Sequence, residues 1–383
     1  MSQTEVQLIK ADAVQTGDIA DSAVTNAKIS GVASSKLTGA LPAISGAALT
    51  NLPASGKAHN LVINGDMKIN QYGNTSSTSQ GYKVCDRWRI DQDSGLTEAC
   101  TQSRVDLSSS DTPYASGFRK AFRITNGNQT SQDANDYIQL VQKIEAQDMA
   151  TSGWNYISDS SNITLSFWVK ASIAQTFYVK IEATDASRTY TYPIAVTTSW
   201  QKLTKTIPGN SNLVFNNDNG VGMRICIIPY YGANYTTSGH SINTWIASDG
   251  ANQAPDFANT WFSGNDATFD VTGVQLEVGD SATDFEHRSF GQELALCQRY
   301  YYEQSSTFYG FFGYGTNSGT NQMGNLIRPV DMRASPTITY TTGGYWSAGP
   351  YAGGNGGYYS YVYGQTTSSN GPNLSNYQLD AEL

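Results

Sequence analysis

The sequence has few charged residues, few basic residues in particular, and no long apolar run. Charged side chains make up 14% of the 383 residues, whereas ordinary globular chains carry roughly 25%. The 23 Lys and Arg are outnumbered by 32 Asp and Glu, which gives a net charge of −9. Because no basic patch is present, no nucleic-acid partner is expected. No stretch approaches the ~18 apolar residues of a membrane span, so no membrane insertion is expected.

The N-terminus and the cysteines predict folding in a reducing compartment. The first fifteen residues have neither the basic nor the apolar region of a secretory signal, so no signal peptide is expected. Four cysteines, Cys85, Cys100, Cys226 and Cys297, occur without a CxxC pair. We expect buried free thiols, with a Cys85–Cys100 bridge as the alternative.

Tyrosine, glycine and small polar residues take the place of the missing charges. The chain has 24 Tyr and 36 Gly. Long soluble helices need Glu, Lys, Leu and Ala, and disordered chains lack aromatic residues. The composition therefore predicts a mainly β protein whose surface is neutral, polar and aromatic.

Residues 1–57 differ from the rest because they contain no aromatic residue. Their larger apolar residues recur every five positions and then less regularly: Val14, Ile19, Val24, Ile29, Leu37 and Leu41. A period of five matches neither a helix nor a flat strand. One apolar residue in five cannot form a core within one chain, but three chains wound together could share one. We expect an intertwined homotrimeric stalk; a pentapeptide-repeat coil is the alternative.

Residues 58–288 contain strand-sized runs separated by turn residues. The run 177–182, FYVKIE, alternates apolar and polar residues as a half-buried strand does. At least eight such runs follow one another without intervening helices, which argues against a parallel α/β sheet. We predict an antiparallel jelly-roll β-sandwich.

A short connecting helix is predicted over 289–304. Ser289 and Gln292 have the spacing of a capping box. An apolar stripe is predicted at Phe290, Leu294, Cys297 and Tyr301. Residues 305–383 are rich in Tyr and Gly, and we expect a small C-terminal β-rich tip domain that partner chains help to stabilise.

Several phrases, in one order along the chain, resemble bacteriophage tail-fibre proteins that carry a carbohydrate-binding-module-like sandwich. They are LPAISGAALTNLP (41–53), NLVINGDMKINQYG (60–73), DRWRI (86–90), ITLSFWVKA (163–171), WQKLTKTIPG (200–209), VTGVQLEVGDSATDFEHRSFGQELALCQRYY (271–301), MRASPTITY (332–340) and DAEL (380–383). The chain departs from the family at Asp284, where Pro is frequent, and at 69–72. An aromatic ligand contact near position 70 is therefore not carried over.

The resemblance implies a homotrimeric adhesin located in the virion and assembled in the host cytoplasm. Its N-terminus would attach to a virion tail or baseplate protein, and its distal part would bind host surface polysaccharide. A structural connector or head fibre with the same architecture is the alternative.

Sugar binding requires aromatic rings against the C–H face of a pyranose and polar groups for its hydroxyls. Candidate contacts in the sandwich loops are Trp154, Tyr156, Tyr230, Tyr231, Tyr235, Trp245 and Trp261. Candidates in the tip are Tyr345, Trp346, Tyr358, Tyr359, Tyr361 and Tyr363. Packing between subunits is the alternative for both sets. The strand residues Trp88, Trp168 and Trp200 are predicted to lie in the core.

Carboxylates near the first and last strands are candidate ligands for a structural Ca²⁺. They are Asp66, Asp270 and Glu277, and solvated surface carboxylates are the alternative interpretation.

Catalysis is not expected. Candidate carboxylate pairs for polysaccharide cleavage are Asp91 with Asp93 and Asp256 with Asp266. Their spacing gives neither pair an acid or base role. The sequence has no HExxH pattern, no serine elbow in a strand–turn–helix setting and no long β-helical repeat of the kind expected in a depolymerase.

Overall fold

Strands dominate the part of the chain that the computed structural model describes. The described residues are 60–307, 311–313, 321–342, 346–355, 359–366 and 373–383. The predicted stalk over 1–57 lies outside them. Among the described residues, no helix is both long and apolar enough to cross a membrane.

The first sheet has six antiparallel strands whose spatial order is β1-β3-β4-β12-β6-β9. In that order they are β1 (Ser76–Ser77), β3 (Thr101–Asp106), β4 (Lys120–Thr125), β12 (Thr268–Val278), β6 (Asn162–Ala171) and β9 (Gln201–Pro208). The long strand β12 pairs with β4 on one side and with β6 on the other. Strands distant in sequence are therefore joined at the centre of the sheet.

The second sheet also has six antiparallel strands, in the order β11-β8-β7-β10-β5-β2. They are β11 (Trp245–Ala247), β8 (Arg188–Val196), β7 (Gln175–Ala183), β10 (Val221–Tyr231), β5 (Tyr137–Glu145) and β2 (Trp88–Gln92). In β7, Phe177, Val179 and Ile181 are fully buried, and they alternate with polar residues as predicted. Apolar residues from both sheets form one shared core, so the predicted jelly-roll-like β-sandwich is confirmed.

The three tryptophans predicted to lie in the core divide between two environments. Trp88 is fully buried between the sheets. Trp168 and Trp200 instead lie half-buried on the outer face of the first sheet, against Phe118. The core prediction is wrong for these two, because their strand positions have the parity that points away from the core residues Phe167 and Val169.

Three short helices are present in the described part of the chain: α1 (Thr112–Ala115), α2 (Ala146–Ala150) and α3 (Phe290–Gln298). The capping box of α3 forms as predicted, with the Ser289 side chain accepting from the Gln292 N–H. The predicted apolar stripe is correct only in part: Cys297 is buried, but Phe290 is 62% exposed and Glu293, outside the stripe, is buried instead. The helix also ends at Gln298, earlier than expected, because the chain enters a strand at Tyr301.

The C-terminal part is β-rich, as predicted, and contains two small sheets. A three-stranded sheet has the order β13 (Tyr301–Gln304), β19 (Leu374–Asp380) and β16 (Thr337–Thr342). A four-stranded sheet has the order β14 (Phe311–Gly313), β15 (Asn321–Leu326), β18 (Tyr359–Thr366) and β17 (Trp346–Asn355). Residues 301–304 thus belong to this region rather than to the predicted helix.

The three-stranded sheet is attached to the sandwich by buried contacts. Arg87 is fully buried, pairs with Glu382 and lies 3.4 Å from the centre of the Tyr300 ring. Tyr72 stacks on Tyr301 with ring centres 4.1 Å apart. These contacts join both ends of the described chain, so the last strand is part of the same structural unit as the sandwich.

The four cysteines are buried and free, as expected, and the alternative Cys85–Cys100 bridge is not formed.

Candidate functional site

The outer face of the second sheet is rich in charged residues. Arg89 and Asp91 alternate with the buried Trp88 and Ile90 on β2, and their side chains point away from the core. Lys180 and Glu182 occupy the equivalent positions on β7. Since β10 and β5 lie between β7 and β2, these charges line a surface that crosses the middle of the sheet.

Together with neighbouring loops, this surface forms a cleft of about 630 Å³. Its lining residues come from five strands and three loop segments: Gln80, Arg89, Asp91, Tyr137, Gln139, Lys180, Glu182, Thr189, Arg224, Tyr231, Tyr235, Ser248, Asp249, Gly250 and Gln253. Five neighbouring strands span four gaps of about 4.8 Å, or about 19 Å. The cleft is therefore long enough for an extended ligand.

The loop over 232–257 builds one wall of the cleft. The Gly232 N–H donates to the Asp136 carbonyl at 2.7 Å, and a side chain at Gly232 would meet the Ala134 carbonyl. Further along, the Gln253 N–H donates to the Tyr235 carbonyl at 2.8 Å. These backbone contacts hold Tyr235 and Gln253 over the sheet.

The charged side chains of the cleft are paired with one another. The Arg224 guanidinium lies 3.3 Å from Glu182 and 4.0 Å from Asp91. Arg89 Nε donates to Asp91 Oδ1 at 2.7 Å, and Lys180 Nζ donates to the Gln253 side-chain oxygen at 2.5 Å. Three cations and three acids (the third acid is Asp249) line the cleft, so its formal charge is balanced.

Burial and these pairs change the pKa values in opposite ways. Burial lowers the pKa of Arg224, but Cys226, Glu182 and Asp91 together outweigh that effect and raise it. Burial raises the pKa of the Tyr231 hydroxyl well above its usual range. Arg224 therefore stays charged and Tyr231 stays neutral across the physiological pH range. The Arg224 Nε is buried and has no hydrogen-bond partner among the described residues.

Three tyrosines form the aromatic part of the cleft. Tyr137 and Tyr235 are half-buried and meet edge to face, with ring centres 5.6 Å apart. Tyr231 is buried beneath them, and its hydroxyl donates to the Gln139 side-chain oxygen at 2.6 Å. The cleft thus combines two accessible rings with a rigid set of donors and acceptors.

The predicted aromatic contacts in the sandwich separate into three groups. Tyr231 and Tyr235 line the cleft. Tyr156 is half-buried outside it and packs edge to face against Phe215. Tyr230 is buried and stacks on Phe262 at 3.9 Å between ring centres.

The three tryptophans predicted as sugar contacts are corrected to core residues. Trp154, Trp245 and Trp261 are 3%, 8% and 0% exposed. Their indole N–H groups donate to the carbonyls of Ser161, Pro208 and Thr268 respectively. Trp245 begins β11, whereas Trp154 and Trp261 lie in connecting segments. All three rings belong to the core between the sheets, so no ring face remains for a sugar.

Among the candidates in the C-terminal part, Tyr345 and Tyr358 lie outside the described residues. Trp346 begins β17 and Tyr359 begins β18. Tyr361 and Tyr363 also belong to β18, and Tyr361 is half-buried.

The three predicted calcium ligands are not brought together. Asp270 is buried and bound by both arms of Arg123, at 2.7 and 2.8 Å. Glu277 accepts from the Thr283 N–H and hydroxyl, and Asp66 pairs with Lys68 at 2.9 Å. No group of three or more His, Cys, Asp or Glu side chains suited to a metal occurs in the part of the chain described.

The carboxylates of the predicted catalytic pairs also lie in different surroundings. Asp91 lies in the cleft, whereas the Asp93 carboxylate accepts from the Gly95 N–H in a turn at 2.9 Å. Asp266 lies in another turn, with a φ of 51°.

Most of the charged cleft residues, and the neutral polar Gln139, were not predicted as site residues. Arg89, Gln139, Lys180, Glu182 and Arg224 all lie within strands. Their signal in the sequence is the polar half of the strand alternation, in runs such as RWRID and FYVKIE.

No protein-family model and no curated protein matches the sequence. Among solved structures, the chain is similar to the enzymatically active domain of tailspike protein 4 of bacteriophage CBA120, at 12% identity and a TM-score of 0.29. That match covers 57% of this chain and 21%, about a fifth, of the tailspike chain. A CBM4 structure is similar at 17% identity and a TM-score of 0.28, covering 57% of this chain and 99% of that one. The family 11 carbohydrate-binding module of the Clostridium thermocellum cellulase Lic26A-Cel5E is similar at 13% identity and a TM-score of 0.26, covering 55% and 98%.

Proposed function

We propose that this chain binds a polysaccharide in the cleft on the outer face of the second sheet. The observation that carries the proposal is the lining of the cleft, which places three tyrosines beside paired Arg, Lys, Asp, Glu and Gln side chains. A sugar presents C–H faces that pack on aromatic rings and hydroxyls that both donate and accept hydrogen bonds. Paired charges supply donors and acceptors side by side, which suits hydroxyl groups better than a surface of one sign.

Within the cleft, Tyr137 and Tyr235 supply the ring contacts, and Arg224, Asp91 and Gln139 supply hydrogen bonds. The ion pairs hold these side chains before a ligand arrives, so little rotamer freedom remains to be lost on binding. The length of about 19 Å, from the strand spacing, accommodates several sugar residues of one chain rather than a single monosaccharide.

The test is a titration of the full chain with soluble oligosaccharides, followed by single alanine variants. Tyr137→Ala and Tyr235→Ala should each weaken binding about threefold to tenfold, the value of one aromatic contact. Tyr156→Ala is the matched control, because it removes a half-buried tyrosine outside the cleft. If the cleft variants and the control lose affinity equally, the binding site lies elsewhere.

We further propose that the cleft binds its ligand without cleaving it. In the cleft, both Asp91 and Glu182 are held by Arg224, which keeps these carboxylates in ion pairs. A polysaccharide that binds should therefore be recovered at its original length. Release of new reducing ends that Asp91→Asn abolishes would contradict this and indicate a depolymerase.

The ordered tail-fibre-like phrases support a role for this binding in attachment. We propose a homotrimeric phage tail-fibre adhesin that is attached to the virion through its N-terminal segment and binds host surface glycan. Three copies would offset the weak affinity of a single sugar site. Light scattering should give the mass of a trimer, and the purified protein should block phage adsorption. A trimer that neither binds cells nor blocks infection would favour a structural connector.

A further inference from the structure

The outer face of the first sheet has a second aromatic and charged surface, on the opposite sheet from the cleft. In the pairing of β6 with β9, Trp168 lies directly opposite Lys202. Two residues further along β6, Lys170 lies beside Trp200, with its ammonium 4.9 Å from the ring centre. Two indoles and two lysines therefore alternate in a two-by-two arrangement, which we call the indole–lysine block.

All four side chains of the block point away from the core. Phe167, Val169 and Leu203, their neighbours along the strands, pack on the core side. Trp200 lies directly before β9 and is the diagonal neighbour of Trp168 across the pair of β6 and β9, about 7 Å away. Both are half-buried and Lys202 is exposed, so part of each indole and the Lys202 side chain are accessible to solvent.

The hydrogen bonds of the block leave specific groups free. The Trp200 N–H donates to Asp111 at 2.8 Å. The Trp168 N–H has no hydrogen-bond partner among the described residues, and it is not one of the buried unpaired polar atoms. This donor, on a half-buried ring, is available to a ligand hydroxyl or carboxylate.

The charges of the block point to an anionic ligand. Asp111 lies 3.4 Å from Lys170, and its second oxygen accepts from Ser108, so this carboxylate is already committed. Asp270, 3.8 Å from Lys170, is buried and bound by Arg123. Lys202 has no carboxylate within 4 Å in the described part of the chain and donates only to the Thr283 carbonyl at 3.4 Å.

We propose that the indole–lysine block is a second saccharide site, selective for sugars that carry a carboxylate. The rings of Trp168 and Trp200 take the C–H face of the sugar. The ammonium of Lys202 binds its carboxylate, and the free Trp168 N–H takes an adjacent oxygen. The charge-balanced cleft has no such unpaired cation, so the two sites differ in the sugars they select.

The test uses trigalacturonic acid as the probe and its methyl ester, which lacks the charge, as the matched ligand. Binding of the acid should change tryptophan fluorescence, because Trp168 and Trp200 lie at the surface while Trp88, Trp154 and Trp261 are buried. Lys202→Gln should weaken binding of the acid about threefold to fivefold, as expected for an exposed charge pair, and leave the ester unaffected. Trp168→Ala should weaken binding of both about tenfold.

Two controls separate this site from the cleft and from misfolding. Lys205→Gln changes a lysine of the same strand that contacts the Tyr192 ring instead, and binding of the acid should be unchanged. Tyr137→Ala, in the cleft, should also leave it unchanged, so the inference does not depend on the function proposed for the cleft. No fluorescence change at millimolar acid, equal binding of acid and ester, or loss on Tyr137→Ala would overturn the proposal. A concentration-dependent self-association that Trp168→Ala abolishes would also overturn it and assign the block to contacts between copies.

Discussion

Replacing Arg299 with Met should destabilise the protein strongly, because it leaves a buried carboxylate without its partner. Glu145, at the end of β5, is 0% exposed, and both arms of Arg299 bind it, at 2.8 and 2.9 Å. Burial alone would raise the pKa of Glu145, but its hydrogen bonds with Arg299 and other neighbours lower it overall. The pair fastens the end of α3 to the sandwich, so its loss affects the junction between the two.

The loss of stability depends on whether the unpaired Glu145 carboxyl stays charged or takes up a proton. Leaving one member of a buried pair uncompensated costs about 3–5 kcal/mol. A glutamate of ordinary pKa 4.5 can instead take up a proton, which costs about 1.36 kcal/mol per pH unit, or about 3 kcal/mol at pH 7 and about 1 kcal/mol at pH 5. We therefore expect a loss near 3 kcal/mol at pH 7, or about 6–12 °C in Tm for a unit of this size, and a smaller loss at pH 5.

The assay is thermal and urea unfolding followed by circular dichroism at both pH values. Lys120→Met is the matched control, because it breaks an ion pair whose partner, Asp106, is 81% exposed, and little change in stability is expected at either pH. Arg299→Met with Glu145→Gln should recover much of the loss, since no buried charge remains. A cost of Arg299→Met below about 0.5 kcal/mol at pH 7, or one that does not change with pH, would refute the reasoning.

Three further predictions concern the backbone, a lysine and the thiols. Gly273→Ala should cost about 2–4 kcal/mol of stability, because its φ is 62° and the new Cβ would lie 2.6 Å from the Phe118 ring. The control Gly153→Ala, with a φ of 86° and open space around it, should cost about 1 kcal/mol. Equal costs of the two variants in urea unfolding would contradict this. Burial, then repulsion by nearby arginines, lowers the pKa of Lys143 from 10.5 to about 8. The folded state therefore releases this proton first, and stability should rise from pH 8 to 10.5 in the wild type but not in Lys143→Gln. The four cysteines are buried and burial raises their pKa values, so a thiol reagent should label none in the native protein and four after denaturation.

The strands were predictable because the signals for them, alternating apolar and polar residues bounded by turn residues, are local in the sequence. The alternation in FYVKIE places Phe177, Val179 and Ile181 in the core, and the capping box at Ser289 depends only on residues three positions apart. Such signals need no knowledge of the topology. The sandwich, the start of α3 and the β-rich C-terminal part follow from them.

The cleft was not predictable in the same way, because its residues become neighbours only through the order of the strands. Asp91 and Glu182 are far apart in sequence, and Arg224, on β10, brings them together across the sheet. That neighbourhood depends on non-local pairing, which a single strand pattern does not contain. The outward positions were visible, but which strands share a face was not.

The wrong predictions of which tryptophans are buried also arise because burial depends on the tertiary fold. Trp154 and Trp261 lie in connecting segments, and such segments usually lie at the surface. Here both rings pack into the core between the sheets, and each indole N–H donates to a backbone carbonyl, so the rings are buried without an unsatisfied donor. Trp168, within β6, and Trp200, directly before β9, are the reverse case, since they belong to or adjoin a strand but lie on the outer face of the sheet.

The chain has few charged residues, but cations and acids lie together in the cleft. With charged residues at only 14% of the sequence, the cleft still contains three cations and three acids. Their pairing cancels the field at long range, which suits a neutral sugar, while guanidinium, ammonium and carboxylate groups each have more donors or lone pairs than one ion pair uses. The indole–lysine block keeps Lys202 unpaired by a carboxylate. Two surfaces of one sandwich should therefore respond differently to salt: binding in the cleft should be nearly insensitive to ionic strength, and binding of an acidic sugar at the block should weaken as salt screens its single charge contact.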